Sequence, residues 1–289
     1  MTLIADQRDM HCFCCSSETV CDQKFGYSEL TCINCGFVHY SGGKSITSQD
    51  YSKSEKYQNY TAENKILWYH RKALEQISKS ERVHDFGCHN GFFVKFLIDQ
   101  NINASGSDWD TNAIDSGIIK FGLRGKLTVD PTEKYDTIVS CEVLEHFENP
   151  DAFFHVCNNH LKDNGKLLIS VPNKLSIYRP GVDYPPHHFS RFTEEALARL
   201  AKKHGYTILN CHTELNLQML LRNYFGDKLR KKPISFSDNQ YSNHYYLFKY
   251  IYNKFSFLPT VLFEPICLIL KIFGLRYGSI FMTLQKKNE

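Results

Sequence analysis

This chain has no strong charge of either sign, no signal-peptide-like apolar core in its first ten residues and no unbroken apolar run. Lys and Arg number 34 against 31 Asp and Glu, a net charge of +3 over 289 residues. Polyanion binders present a strongly basic face, so this balance speaks against nucleic acid as a partner. The amino terminus, Met1 to Met10, has no apolar core of signal-peptide length, and the expected location is cytoplasmic. The most apolar stretch, residues 255–274, is broken by Pro259, Glu264, Pro265 and Lys271, which makes it a poor membrane span. A Gly-x-Gly-x-x-Gly fingerprint is also missing, which weighs against a nicotinamide enzyme. A chain of this length holds one large domain and one small one.

Cysteine is plentiful, with eleven residues. Without an export signal it does not point to disulfides. Cys14, Cys21, Cys88, Cys141, Cys157, Cys211 and Cys267 show no pairing pattern and are expected to be reduced. The other four form Cys12-x2-Cys15 and Cys32-x2-Cys35, sixteen residues apart. Two such knuckles set four thiolates in a tetrahedron, the closed geometry of structural Zn²⁺. His11, Cys14 and Cys21 crowd the first pair. A site with no open position serves folding, so residues 1–45 read as a zinc-ribbon-like segment too small for its own core. Ser41 to Ser54, rich in Ser, Gly and Lys, reads as its linker.

Beyond it, apolar residues at helical spacing predict a helix over Asn64–Ser78. Strands are expected at Arg82–Phe86, 103–108, Leu127–Val129, Tyr135–Cys141, Lys166–Val171, Tyr206–His212 and Gly278–Gln285. Between them lie helices from Gly91, over Thr111–Phe121, near Asp151–Leu161 and over Glu194–His204, the last capped by Thr193. Alternation of this kind predicts an α/β fold, a doubly wound, Rossmann-like sheet of parallel strands.

The richest stretch is Val83-His-Asp-Phe-Gly-Cys-His-Asn-Gly91, where an apolar strand ends in Asp85 and a Gly-x-x-x-Gly loop follows. Ligands of such sheets sit at the carboxyl ends of strands, where glycine lets backbone approach them. The Asp85 carboxylate repels a diphosphate and attracts an ammonium or sulfonium, so the loop favours S-adenosylmethionine over a dinucleotide. Asp108 lies 21 residues after Gly87, at the next strand tip, where a carboxylate accepts hydrogen bonds from ribose hydroxyls. The alternative for Asp108 is a cap on the helix beginning near Asp110. Trp109 beside it is a candidate to cover an adenine, or an ordinary packed ring.

In this order the motifs resemble class I S-adenosylmethionine-dependent methyltransferases with a seven-stranded sheet, over roughly residues 65–215 and again at the last strand. The matching stretches are Asp85–Gly91, Asp108, Tyr135–His146 and Leu161–Pro172. One departure is His89, where the family usually has glycine; a Cβ there is expected to alter the loop locally. Glu142-Val-Leu-Glu-His146, followed by Pro185-Pro-His-His-Phe-Ser-Arg-Phe-Thr193, is closest to the ubiquinone-biosynthesis and glycan-modifying type. Bacterial relatives of that type also carry an amino-terminal cysteine ribbon ending as Cys35-Gly-Phe-Val does.

The resemblance implies a methyltransferase domain over residues 60–215 and methyl transfer to oxygen of a small, glycan or lipid-linked acceptor. The loop residues Asp85, Gly87, Cys88 and Gly91, with Asp108, Trp109 and Cys141, would hold the cofactor. Cys141 and Glu142 end the fourth strand beside the sulfonium in this family, and the loop carrying His187 and His188 closes over the acceptor. A histidine near neutral pKa suits removal of a hydroxyl proton, with His188 preferred over His187. Structural or surface histidines after a Pro-Pro turn are the alternative. Glu142, Glu145 and His146 stand at i, i+3 and i+4, one face of a helix. With His187 or His188 they offer a mixed oxygen and nitrogen set for a second divalent metal, resembling that of small-RNA ribose methyltransferases. In metal-free relatives the same histidine only packs.

Residues 216–289 contain an apolar insertion and the last strand. The insertion reads as a lid over the acceptor or, with Lys254, Lys271 and Arg276 flanking it, as a membrane-surface segment. Two further functions stand beside the first: an RNA methyltransferase that grips RNA with its ribbon, and a scaffold that binds the cofactor without turnover.

Overall fold

The computed structural model describes residues 11–24, 26–42, 64–131, 133–176, 184–214 and 278–288. Most of the expected linker and the insertion up to residue 277 lie outside the described residues, as does Cys267.

The cysteine segment folds as three antiparallel strands, β1 (Thr19–Lys24), β2 (Tyr27–Cys32) and β3 (Val38–Ser41). Each knuckle is a short turn, closed by Ser16 N–H to Cys12 C=O and by Gly36 N–H to Cys32 C=O.

The large sheet contains β4 (Arg82–Phe86), β5 (Asn103–Ser107), β6 (Leu127–Thr128), β7 (Tyr135–Cys141), β8 (Leu161–Pro172), β10 (Tyr206–Thr213) and β11 (Ser279–Lys286). Their order is β10-β11-β8-β7-β4-β5-β6. Ladders from β6 through β8 are parallel, which requires crossovers, and helices supply them. These are α1 (Trp68–Leu74) before β4, α2 (Phe92–Asp99), α3 (Thr111–Phe121), α4 (Pro150–His160) and α5 (Glu194–Lys203). Alternate residues of a strand face opposite layers. Val139 and Leu168 therefore pack with Phe93, Val94 and Leu97 of α2 and Ile114 of α3. Ile138, Leu167 and Ile169 pack on the other face, with Phe153 and Phe154 of α4 and Leu197 and Leu200 of α5.

The expected fold class is therefore present, with one correction. The sheet is not wholly parallel, because β11 runs antiparallel to both β8 and β10. Residues 279–284 are all buried, so an apolar pattern identifies the strand while leaving its direction open. Some boundaries also move. Helix α1 is shorter than expected, because Gln76 and Ile77 donate three residues back, to Ala73 and Leu74, and tighten its last turn. Strand β8 begins at Leu161, paired with Tyr135; the chain bulges through Asn164 (φ +58°) and pairs again at Lys166 with Thr137. Asn149 caps α4 by accepting from Asp151 N–H at 2.9 Å, and Thr193 caps α5 by accepting from Ala196 N–H at 3.0 Å.

The ribbon does not stand apart from the large domain. Its β3 pairs with a two-residue strand, β9 (Ser190–Arg191), which follows the loop bearing His187 and His188. Phe37 and the knuckle cysteines share a core with Phe192, Leu197 and Leu200.

Candidate active site

Strand β4 is central and parallel to both neighbours, so its carboxyl end opens toward the loops after β5 and β7. The chain turns directly after Phe86. Gly87 (φ +85°) and Gly91 (φ +72°) take left-handed backbone, and a Cβ on Gly87 would overlap the Val143 methyl groups. His89, at the position where glycine was expected, also adopts φ +49°. The departure thus keeps the loop's left-handed turn, at the steric cost a side chain incurs there.

Asp85 and Asp108 are both buried, at 6% and 8% exposure. Burial, and then the Asp108 charge, push the Asp85 carboxyl up to about 7. Asp108 is pushed up to about 6, also chiefly by burial, while N–H donors pull it back. Two of those donors are His89 N–H at 2.7 Å and Asp110 N–H at 2.9 Å. Asp108 therefore ties the glycine loop to the tip of β5. A carboxylate has about four acceptor positions, and Trp109 N–H is a third donor, so the remaining capacity is what a ribose hydroxyl could use. The cap of α3 is Asp110, not Asp108: it accepts from Asn112 N–H and Ala113 N–H. Trp109 is half exposed beside Asp108. The Cys88 thiol turns into the core against Gly106, where only a glycine leaves it room.

At the end of β7, burial and the Asp85 charge raise the Cys141 thiol well above its usual range. The next residue contradicts the expected helical face. Glu142 has φ +58°, and its Oε1 accepts from Ser170 Oγ at 2.9 Å, while only Leu144–His146 form a single 3₁₀ turn. The grouping that does form is Glu145, His146 and His188, whose donor atoms all lie within 4.8 Å of one another. Neither Glu142 nor His187 belongs to it. His146 Nδ1 donates to the His187 carbonyl at 2.7 Å, and its ring meets His188 edge-on at 4.7 Å. Burial holds the His146 pKa down, while contacts with the His187 and Glu142 carbonyls push it back up.

The four knuckle thiols converge, with Sγ–Sγ separations of 3.6 Å for Cys12–Cys35, 3.5 Å for Cys15–Cys32 and 3.6 Å for Cys15–Cys35. Tetrahedral zinc with bonds of about 2.3 Å needs sulfurs roughly 3.8 Å apart, so the donor set fits. The N–H groups of Cys14 and Cys35 point at Cys12 Sγ and Cys32 Sγ. The set consists of Cys12, Cys15, Cys32 and Cys35; neither the buried Cys14 nor the exposed His11, whose backbone pairs with Glu18, belongs to it.

Two residues escaped sequence reasoning. A Cβ on Gly117 of α3 would overlap the Asn90 carbonyl, so this glycine lets the helix pack onto the cofactor loop. A glycine inside a helical pattern was the available signal. Ser170 orients Glu142 from the neighbouring strand, and nothing in its local sequence marks it.

A family model described as a methyltransferase domain matches residues 57–210, just over half of the chain. The chain belongs to the S-adenosylmethionine-dependent methyltransferase family. It is 46% identical over 112 residues to the ubiquinone biosynthesis O-methyltransferase of Glaesserella parasuis, covering 33% of this chain and 47% of that protein. It is 25% identical over 135 residues to a probable S-adenosylmethionine-dependent methyltransferase of Mycolicibacterium smegmatis, covering 44% and 52%. The chain spans about half the length of the curated relatives it matches. Among solved structures, the [4+2]-cyclase SpnF aligns with a TM-score of 0.52 at 16% identity, over 86% of this chain and all of that one. That match concerns the methyltransferase fold alone, because one fold hosts unrelated activities. Among the described residues, no helix is long and apolar enough to cross a membrane.

Proposed function

We infer that this chain transfers a methyl group from S-adenosylmethionine to an oxygen of a small, glycan or lipid-linked acceptor. When bound, the cofactor supplies an electrophilic sulfonium methyl group. Asp85 and Asp108 hold its cationic end and its ribose from adjacent strand tips, and the Gly87–Gly91 backbone brings them close. In-line transfer chiefly needs an aligned nucleophile, and a hydroxyl must also lose its proton. In this reading His188 takes that proton, and His146 fixes the loop that carries it by holding the His187 carbonyl. The single observation that carries the acceptor side is the convergence of His188 with Glu145 and His146 beyond the end of β7. The oxygen acceptor draws further support from the ubiquinone O-methyltransferase likeness, and a binding-only scaffold would not need this histidine grouping.

The four-cysteine set would hold structural zinc. A second divalent cation on Glu145, His146 and His188 is the alternative use of the same grouping, because one oxygen and two nitrogen donors suit Mg²⁺, Mn²⁺ or Zn²⁺.

One experiment separates these. The zinc-replete protein is incubated with cell extract and labelled S-adenosylmethionine, and methylated products are identified by mass spectrometry. With the acceptor in hand, His188→Ala should lower kcat by about 10²- to 10⁴-fold and leave cofactor affinity unchanged. Undiminished turnover in that variant removes His188 from catalysis. Stimulation by added Mn²⁺ or Mg²⁺, abolished in Glu145→Gln, would replace the base with a metal.

A further inference from the structure

The ribbon touches the acceptor-side loop through backbone, not only through side chains. Phe189, the residue after His188, is clamped at both ends of its own backbone. Its carbonyl accepts from Tyr40 N–H of the ribbon at 2.8 Å, and its N–H donates to the Glu145 carbonyl at 2.8 Å. The ladder continues as His39 against Ser190 and Val38 against Arg191. Immediately upstream in the ribbon is the second knuckle, and it is tied to the same region. Thr193 Oγ1 donates to the Cys35 carbonyl at 2.7 Å and Lys174 Nζ to the Gly36 carbonyl at 2.7 Å, while Phe37 packs on Phe192 with centroids 5.0 Å apart. An unbroken covalent and hydrogen-bonded route therefore runs from Cys32 and Cys35 through β3 and β9 to Phe189, and on to Glu145.

We propose that the cysteine ribbon is a positioning element for His188, and that metal on its four thiols holds the acceptor half of the site in register without contributing to the cofactor half. Four thiols brought this close lack a tether when no cation joins them, so the knuckle loses its fixed geometry. Strand β3 then keeps its ladder with β2 but loses the knuckle that fixes its start, and the two-residue β3–β9 ladder loosens with it. The hydrogen bonds of the glycine loop run elsewhere, His89 N–H to Asp108, Gly87 N–H and Cys88 N–H to Ser107 C=O, Gly91 N–H to Cys88 C=O and Asn90 Nδ2 to Asn64, and among the described residues it meets the acceptor side only by packing of Gly87 against Val143. This inference rests on His188 as the acceptor-side base. Its test needs no acceptor, so the two ideas fail separately.

The full-length protein is compared with Cys32→Ser/Cys35→Ser and with Lys174→Met, which keeps all four thiols but loses the Gly36 tie. The readouts are zinc per chain, amide exchange and S-adenosylmethionine affinity by calorimetry. In the double variant, zinc should be lost and the amides of Tyr40 and Phe189 should exchange at least about tenfold faster. The Gly91 amide and cofactor affinity should stay within about twofold. In Lys174→Met, zinc should stay at one per chain while Tyr40 and Phe189 exchange roughly three- to fivefold faster, as expected for one lost hydrogen bond. Unchanged exchange at Phe189 in both variants overturns the proposal. So does an equal acceleration at Gly91, which would make the ribbon a general stabiliser. If the double variant aggregates, Lys174→Met alone decides.

Discussion

At the proposed cofactor end of the sheet, two carboxylates stand at the tips of adjacent parallel strands, and Asp108 is bonded directly to His89 in the short glycine loop that follows the strand of Asp85. At the acceptor end, Glu145 and His146 follow β7, His188 precedes β9, and the strand that steadies the loop lies some 150 residues earlier in the chain, at His39 and Tyr40. The first half is local in sequence and the second is assembled over long distances. In the proposed reading, local construction rests cofactor binding on a few backbone angles and two charges. Distributed construction lets the acceptor half loosen by itself, because fixing distant segments costs more loop entropy and offers more places to fail.

The most severe test of this contrast is to remove a charge from the local half. Asp85→Ala should weaken S-adenosylmethionine binding by about 10- to 100-fold, the worth of a charged hydrogen-bond partner, and should leave Phe189 amide exchange unaltered. Calorimetry with exchange on the same sample checks it; a large change at Phe189 would erase the distinction between the halves.

A smaller effect should follow from pH. Asp85 titrates near 7 in the ligand-free protein, and the carboxylate form is the one that attracts a cation. Affinity should therefore be full at pH 8 and fall by about tenfold at pH 6. The stability of the unliganded protein runs the opposite way. An acid whose folded pKa is raised stabilises the fold while protonated, and that contribution fades as pH rises from about 4 toward 7. Added cofactor should flatten this loss. Thermal denaturation across pH, with and without cofactor, measures both, and an affinity independent of pH would exclude Asp85 as the titrating contact.

The mildest of the three concerns packing under the loop. Gly117→Ala should cost roughly 1–3 kcal/mol of stability by forcing α3 away from the Asn90 carbonyl, with a modest loss of cofactor affinity. Ile119→Ala, two residues along the same helix and 85% exposed, should change neither by a measurable amount. Equal melting temperatures for the two variants would show that the loop does not depend on this contact.

Much of the local half was legible in the sequence. Asp85, Gly87, Gly91 and Asp108 announce themselves because strand, turn and spacing all lie within 27 residues. The four ribbon cysteines were equally plain, since metal geometry demands paired spacing. The acceptor half was read less well. Glu142, Glu145 and His146 looked like one helical face, but the positive φ of Glu142 sends its carboxylate to Ser170. His187 and His188 were both candidates, with His188 preferred, and only His188 joins the cluster, while the His187 carbonyl serves His146.

By itself the sequence determined the strand–helix alternation, the glycine turn with its flanking acids, and the paired-cysteine spacing, because each is written in periodicities and short separations that a chain cannot hide. Tertiary structure alone decided that β11 runs antiparallel, that Gly117 underlies the cofactor loop, and that the ribbon's Tyr40 holds the residue next to His188. Those depend on hydrogen-bond partners and packing neighbours dozens or hundreds of residues away, and no local pattern encodes which of many distant edges a strand will meet.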